Sequence, residues 1–179
     1  MSRTAEDRKA SFIKGVGIGS LVLGLLFVLG GIGTWIMVSS QLSEENITVA
    51  GDAPFLAGSD VNGPFSAYAQ AEVIQQHALA GSEGTYAELG AMVNEARDAG
   101  DEDRAEELQA QRDTMMNASF LRASLFTSVL AFGVSAMVIG LGVLLVLIGL
   151  VIRQLSVGFR AAPAQPVSRV DAVETDERA

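Results

Sequence analysis

The chain has 179 residues, 49% of them apolar, with a mean hydropathy of +0.34, a formal charge of −9 and no cysteine. Such an apolar excess is unusual for one soluble domain. The acidity argues against nucleic acid as a partner, and the missing cysteine removes disulfides, thiol catalysis and lipobox or palmitoyl anchoring.

Residues 1–14 form a short charged stretch with Arg3, Arg8, Lys9 and Lys14, which reads as a mobile cytoplasmic tail. Residues 15–38, "GVGIGSLVLGLLFVLGGIGTWIMV", contain no charge. As a helix rising about 1.5 Å per residue they reach about 36 Å, more than a hydrocarbon core of about 30 Å. The run is longer than the h-region of a signal peptide and no small-x-small site follows it, which favours an uncleaved anchor.

Residues 39–121 carry the acid. From Gln41 to Ser119 there are fifteen Asp and Glu against three Arg, a net of −12. Anionic headgroups repel such a surface, so this segment is expected to stand off the membrane or to meet a basic partner. Within it, "ENITVAGDAPFLAG" has a short strand-like start at Ile47, Thr48 and Val49, broken by Gly51 and Pro54. Asn62, Gly63 and Pro64 turn the chain into a helix reaching about Ala80, with Gly81 as its stop. Thr85 and Glu88 form a capping box for a helix from Tyr86 to about Ala99, with Leu89, Met92, Val93 and Ala96 on one face. Asp101 caps the next helix, whose modest apolar face is Ala105, Leu108, Met115 and Met116. Nothing from Glu102 to Ile152 breaks it, so it is expected to run directly into a second span.

That span lies in residues 122–152. "ASLFTSVLAFGVSAMVIGLGVLLVLIGLVI" is free of charge between Arg122 and Arg153. Residues 153–179 open with Arg153 and Arg160 and continue as a Pro- and Ala-containing tail without apolar periodicity. Basic residues at both ends, and few between, place both termini in the cytoplasm of a plasma membrane and the middle outside.

Small residues recur every seven positions in the spans: Gly17, Gly24 and Gly31 in the first, Ser128, Ser135, Gly142 and Gly149 in the second. In an antiparallel hairpin a single register sets Gly17 beside Gly149, Gly24 beside Gly142, Gly31 beside Ser135 and Val38 beside Ser128. Small residues allow close backbone approach, and a heptad repeat suits a left-handed crossing near +20°. These seven residues are the helix-packing candidates.

Catalytic candidates are scarce. Neither span holds an ionisable group, which disfavours a proton or ion pathway through one hairpin. The only histidine, His77, shares a short stretch with Tyr68 and Glu72, but on a helix residues five apart point to different sides. No G-x-S-x-G elbow exists, and one histidine cannot supply the usual iron or zinc ligand sets. No catalytic, cofactor or metal residue is assigned.

The stretches "ENITVAGDAPFLAG", "GPFSAYAQAEVIQQHAL", "TYAELG" and "MNASFLRASLFTSVLAFGV" resemble a group of actinobacterial two-span membrane proteins, over Ser43 to Val134. Members often carry the label aromatic ring-opening dioxygenase. The resemblance implies an actinobacterial source and an envelope location, and brings no catalytic residue. Extradiol ring opening needs iron on two histidines and a carboxylate, and His77 stands alone.

The expectation is an all-α membrane protein: two antiparallel transmembrane helices with a small, mainly helical extracytoplasmic insertion. Its expected role is a non-enzymatic interaction or accessory module of the bacterial cell envelope, without a cofactor. Its partners would be the lipid bilayer and a membrane or envelope protein, with a homo-oligomer as an open alternative. The competing classes are an enzyme-associated subunit and an accessory of a pore or transporter.

Overall fold

A computed structural model describes residues 3–158, which form four helices: α1 (Arg3–Glu44), α2 (Pro64–Ala80), α3 (Tyr86–Asp98) and α4 (Glu102–Gly158). Among the described residues the only β pairing is an isolated antiparallel bridge between Thr48 and Asp60. Two helical stretches, Ser11–Glu44 and Glu102–Leu155, are long and apolar enough to cross a membrane.

α1 is longer than the uncharged run inside it. The stretch before Gly15, expected as a mobile tail, is helical from Arg3, and the helix continues past Val38 to Glu44. Helix formers dominate the first stretch, and no proline interrupts Arg3 to Glu44. A change from apolar to polar sequence therefore does not end the helix. α4 likewise passes Ile152 and reaches Gly158. The tail expected over Ala161–Ala179 lies outside the described residues.

Local signals set the other helix boundaries. Pro64 occupies the first turn of α2, where its missing N–H costs nothing. The Ser66 hydroxyl accepts from the amides of Asn62 and Gly63, both at 3.2 Å. At α3, Thr85 Oγ1 accepts from the Glu88 amide (3.4 Å) while the Thr85 amide donates to Glu88 Oε2 (2.8 Å). This is the reciprocal pair of a capping box. α3 ends in a Schellman motif: Gly100 has φ +77, its amide reaches Arg97 O, and the Asp101 amide reaches Ala96 O at 2.9 Å. Asp101 Oδ1 then accepts from the Arg104 amide at 3.1 Å and caps α4.

The chain forms two compact units. The first joins the start of α1, up to Leu23, to the end of α4, from Leu145. The second, Gly24–Leu144, holds two buried clusters. In one, Val49, Val61 and the alanines Ala67, Ala69 and Ala71 pack with Leu42, Leu125 and Phe132. Trp35 meets Phe132 edge-on, with ring centroids 4.8 Å apart. The other joins α3 to α4 through Leu89, Val93, Ala96, Ala105, Leu108 and Met115.

Since α3 rests on that small second cluster, losing its largest fully enclosed side chain should be felt strongly. Leu89→Ala is expected to destabilise the protein by about 2–5 kcal/mol. The half-exposed Leu79→Ala should cost well under that, both measured as unfolding free energies in detergent.

Candidate functional site

Six of the seven heptad positions are buried, namely Gly17, Gly24, Gly31, Ser135, Gly142 and Gly149; Ser128 is half-buried. In the first unit a Cβ added at Gly149 would lie 2.8 Å from Gly17 O and 2.7 Å from Leu21 Cγ. One at Gly17 would lie 3.3 Å from Gly149 O. Ser20 Oγ donates to Leu145 O at 2.7 Å.

In the second unit a Cβ at Gly142 would meet Gly24 O at 2.7 Å and the Val28 amide nitrogen at 2.8 Å. One at Gly31 would meet Ser135 O at 3.0 Å. Gly15, Gly19, Gly30, Gly33, Gly133 and Gly140, off the heptad, have nothing within 4 Å. Among the described glycines of these two apolar stretches, glycine is thus tightly required only where α1 and α4 touch. Ser128 and Ser135 turn their hydroxyls to their own helix, onto Ser124 O and Ala131 O.

Val38 and Ser128 line a groove of about 740 Å³ between the end of α1, α2 and α4. Its walls are apolar at Leu42, Ile74, Leu121 and Leu125, with Glu44 and Glu45 among its polar residues.

Arginines tie together the helices of the inter-stem segment, which lies between the apolar stretches of α1 and α4, the two stems. Arg104 donates to Glu83 and, at 2.7 Å, to Glu107. Gln111 adds a bond to Glu83 Oε1 at 3.1 Å. The Arg104 guanidinium and then Gln111 hold the Glu83 carboxyl below the usual range, and the Thr85 amide and hydroxyl do the same for Glu88. Arg112 lies over the Tyr86 ring, 4.3 Å from its centroid. A Cβ at Gly90 would lie 3.2 Å from Arg112 Nε, so a small residue there lets the guanidinium settle on α3. Arg122 faces Glu72 at 3.5 Å and covers the Phe126 ring at 4.9 Å. The Nε atoms of Arg112 and Arg122 are buried without a hydrogen-bond partner.

Tyr68, Glu72 and His77 have three separate partners. Tyr68 packs edge-on against Phe126, Glu72 faces Arg122, and His77 Nε2 lies 2.6 Å from Asp52 Oδ2. His77 holds the Asp52 carboxyl below its usual range, and both side chains are more than half exposed. The pair clasps the loop after α1 to α2. Sequence reasoning missed Asp52, which lies 25 positions from His77 and whose only local signal was the Gly51–Asp52 turn. Among the described residues no group of three His, Cys, Asp or Glu is arranged to hold a metal ion.

Comparison of the chain with protein-family models, curated proteins and solved structures gives no match.

Two outcomes follow from this geometry. Gly142→Ala should destabilise the protein by about 1–3 kcal/mol, because its Cβ meets backbone that cannot turn aside. Gly140→Ala, which meets open space, should be neutral or slightly stabilising, with paired melting curves in detergent as the check.

The lowered Glu83 pKa makes the α3–α4 tie pH-dependent. Its contribution is fully present above the unfolded glutamate value of about 4.3 and is lost as pH falls through the lower folded value. The gap in melting temperature between wild type and Glu83→Gln should therefore be widest near neutrality and close on acidification.

Proposed function

We propose that the chain is a small integral membrane protein of the bacterial plasma membrane, crossing it as an antiparallel hairpin with both termini cytoplasmic. On this reading the inter-stem helices form an acidic extracytoplasmic module that engages a basic segment of another envelope protein. The resemblance to actinobacterial two-span proteins agrees with that location.

One observation carries the membrane reading. Only 11% and 17% of the most apolar windows of α1 and α4 are buried. Most of their large side chains point outward: Leu26, Leu29, Ile36, Leu130, Met137 and Leu147 are all exposed, while the small heptad residues face inward. A core helix of a soluble protein buries its large residues, whereas a helix solvated by lipid does the reverse.

The partner reading rests on charge. A shallow cleft between the end of α3 and the start of α4 is lined by Glu102, Glu106 and Asp113 with Arg97. Arg104 and Arg122 are already engaged with carboxylates of the module itself. The remaining acid is available to an external cation, which would steer association.

A photocrosslinker at Gln109, inside this cleft, should capture a discrete envelope protein in native membranes. Capture should fail in the triple variant Glu102→Lys, Glu106→Lys, Asp113→Lys. Equal capture by both forms would reject the acidic cleft as the docking surface.

A further inference from the structure

The extracytoplasmic module reads from its charge as a body held clear of the bilayer, yet its first helix begins at the depth of the stems' uncharged runs. We infer that Val61–Ala71, the end of the loop and the first two turns of α2, lies in the outer boundary of the hydrocarbon core. Phe65, together with Phe55 and Leu56 of the loop tip, faces lipid there. This inference rests on the bilayer-spanning reading proposed above.

Depth comes from side-chain ties within one compact unit. Ser39, the residue that follows the apolar run 15–38 and precedes the first charge, Glu44, by five positions, donates from Oγ to Asn62 O at 2.6 Å. The turn that starts α2 is therefore level with the end of that run. Along α4, Glu72 meets Arg122 and Tyr68 meets Phe126, so residue numbers fall on α2 as they rise on α4. Arg122 is the last charge before the second uncharged run. Phe126 lies four residues below it, about 6 Å along the helix. Phe65 precedes Tyr68 by three residues and thus sits about 10 Å below Arg122. The alanine side of this part of α2 shares a cluster with Val129, Phe132 and Trp35, all within the uncharged runs.

Composition agrees with that depth. No charge occurs between Asp60 and Glu72, and charge resumes where α2 rises to the level of Arg122.

Non-helical backbone at membrane depth is tolerable only when the protein satisfies its polar groups. The amides of Asn62 and Gly63 donate to Ser66 Oγ, and the Val61 amide donates to Ile47 O at 2.9 Å. Pro64 has no amide to satisfy, and the Asn62 carbonyl takes the Ser39 hydroxyl. These bonds need no water.

The outward side of the segment is apolar. Phe65 is 75% exposed, and Tyr68 lies one turn above it on the same side of α2. Phe55 stands 6.3 Å from the Tyr68 ring. Leu56, beside it, is 43% exposed and held at φ 56, a left-handed conformation rare for a bulky side chain. A strained loop tip presenting Phe and Leu is costly in water and favourable at the acyl boundary, where aromatic residues concentrate. About 10 Å below Arg122, Phe65 is level with α4 near Leu130, itself 67% exposed, so the occupant of its outward side is the lipid that solvates the stem there.

The cysteine-free chain allows a direct test. Single cysteines at Phe65, Leu56, Leu29 and Glu106 would carry an environment-sensitive fluorophore in phosphatidylcholine/phosphatidylglycerol vesicles containing spin-labelled lipid. F65C and L56C are expected to lose most of their fluorescence to a spin label near the glycerol backbone, L29C to one deep in the acyl chain, and E106C to neither. If L29C is quenched but F65C and L56C are not, and both react freely with a membrane-impermeant maleimide, the inference fails while the spanning reading stands. If L29C is also unquenched, both fail. Unquenched F65C showing energy transfer between copies that survives dilution in lipid would assign this face to a second copy and overturn the inference.

Discussion

Close backbone approach at the heptad glycines is the constraint on which the structure depends. Lipid tails are as apolar as leucine, so two helices in a bilayer gain little from burying leucine against leucine. They gain from contact that only small residues allow, and Gly142 lies so near Gly24 O and the Val28 amide that even a methyl group would overlap them. Many large side chains are left on the outside, Leu26, Leu29 and Met137 among them. One choice of residue size thus accounts for both the helix contact and the outward apolar surface.

The second unit adds a problem that the helix contact does not solve, namely how a loop and a helix start are held against α1 and α4. Aromatic size does part of this. Trp35 against Phe132 and Tyr68 against Phe126 fill space beside the stems, while Ala67, Ala69 and Ala71 let α2 come close. Polar ties do the rest: Ser39 to Asn62 O, the Ala50 amide to Gln70 Oε1 at 3.0 Å, and Asp52 to His77. The exposed Asp52–His77 pair contributes little by itself, as surface pairs generally do. Its value is positional, since it closes the loop whose tip carries Phe55 and Leu56.

What could be read from the sequence was whatever depends on neighbours along the chain. Pro64, the Thr85–Glu88 box and the Gly100–Asp101 stop set helix boundaries within one turn, and residue type alone carries that information. The heptad was legible because size and spacing are sequence properties, and the non-heptad glycines differ from it only in direction. The reach of α1 was not legible, because a change of polarity looks like a boundary although nothing at Lys14 or Val38 stops a helix. Nor was the buried side of α2: alanines give a weak apolar signal, while its large residues, Phe65 and Tyr68, are the outward ones. His77, Glu72 and Tyr68 look like one constellation in the linear sequence, yet each is assigned by a partner 25 to 58 residues away.

The arginines of the inter-stem segment give its acidity a direction. Arg104 is spent on Glu83 and Glu107, Arg122 on Glu72 and the Phe126 ring, and Arg112 lies over Tyr86. Each joins parts of the segment that are distant in sequence or, for Glu107, stiffens one helix face. Arg104, Arg112 and Arg122 are thus engaged in holding helices together, while Glu95, Asp98, Glu102, Asp103 and Glu106 remain exposed around the α3–α4 corner beside the exposed Arg97. That corner lies on the helices remote in sequence from the uncharged start of α2. An apolar helix start beside the stems and an acidic corner beyond it make the segment polar along its own length.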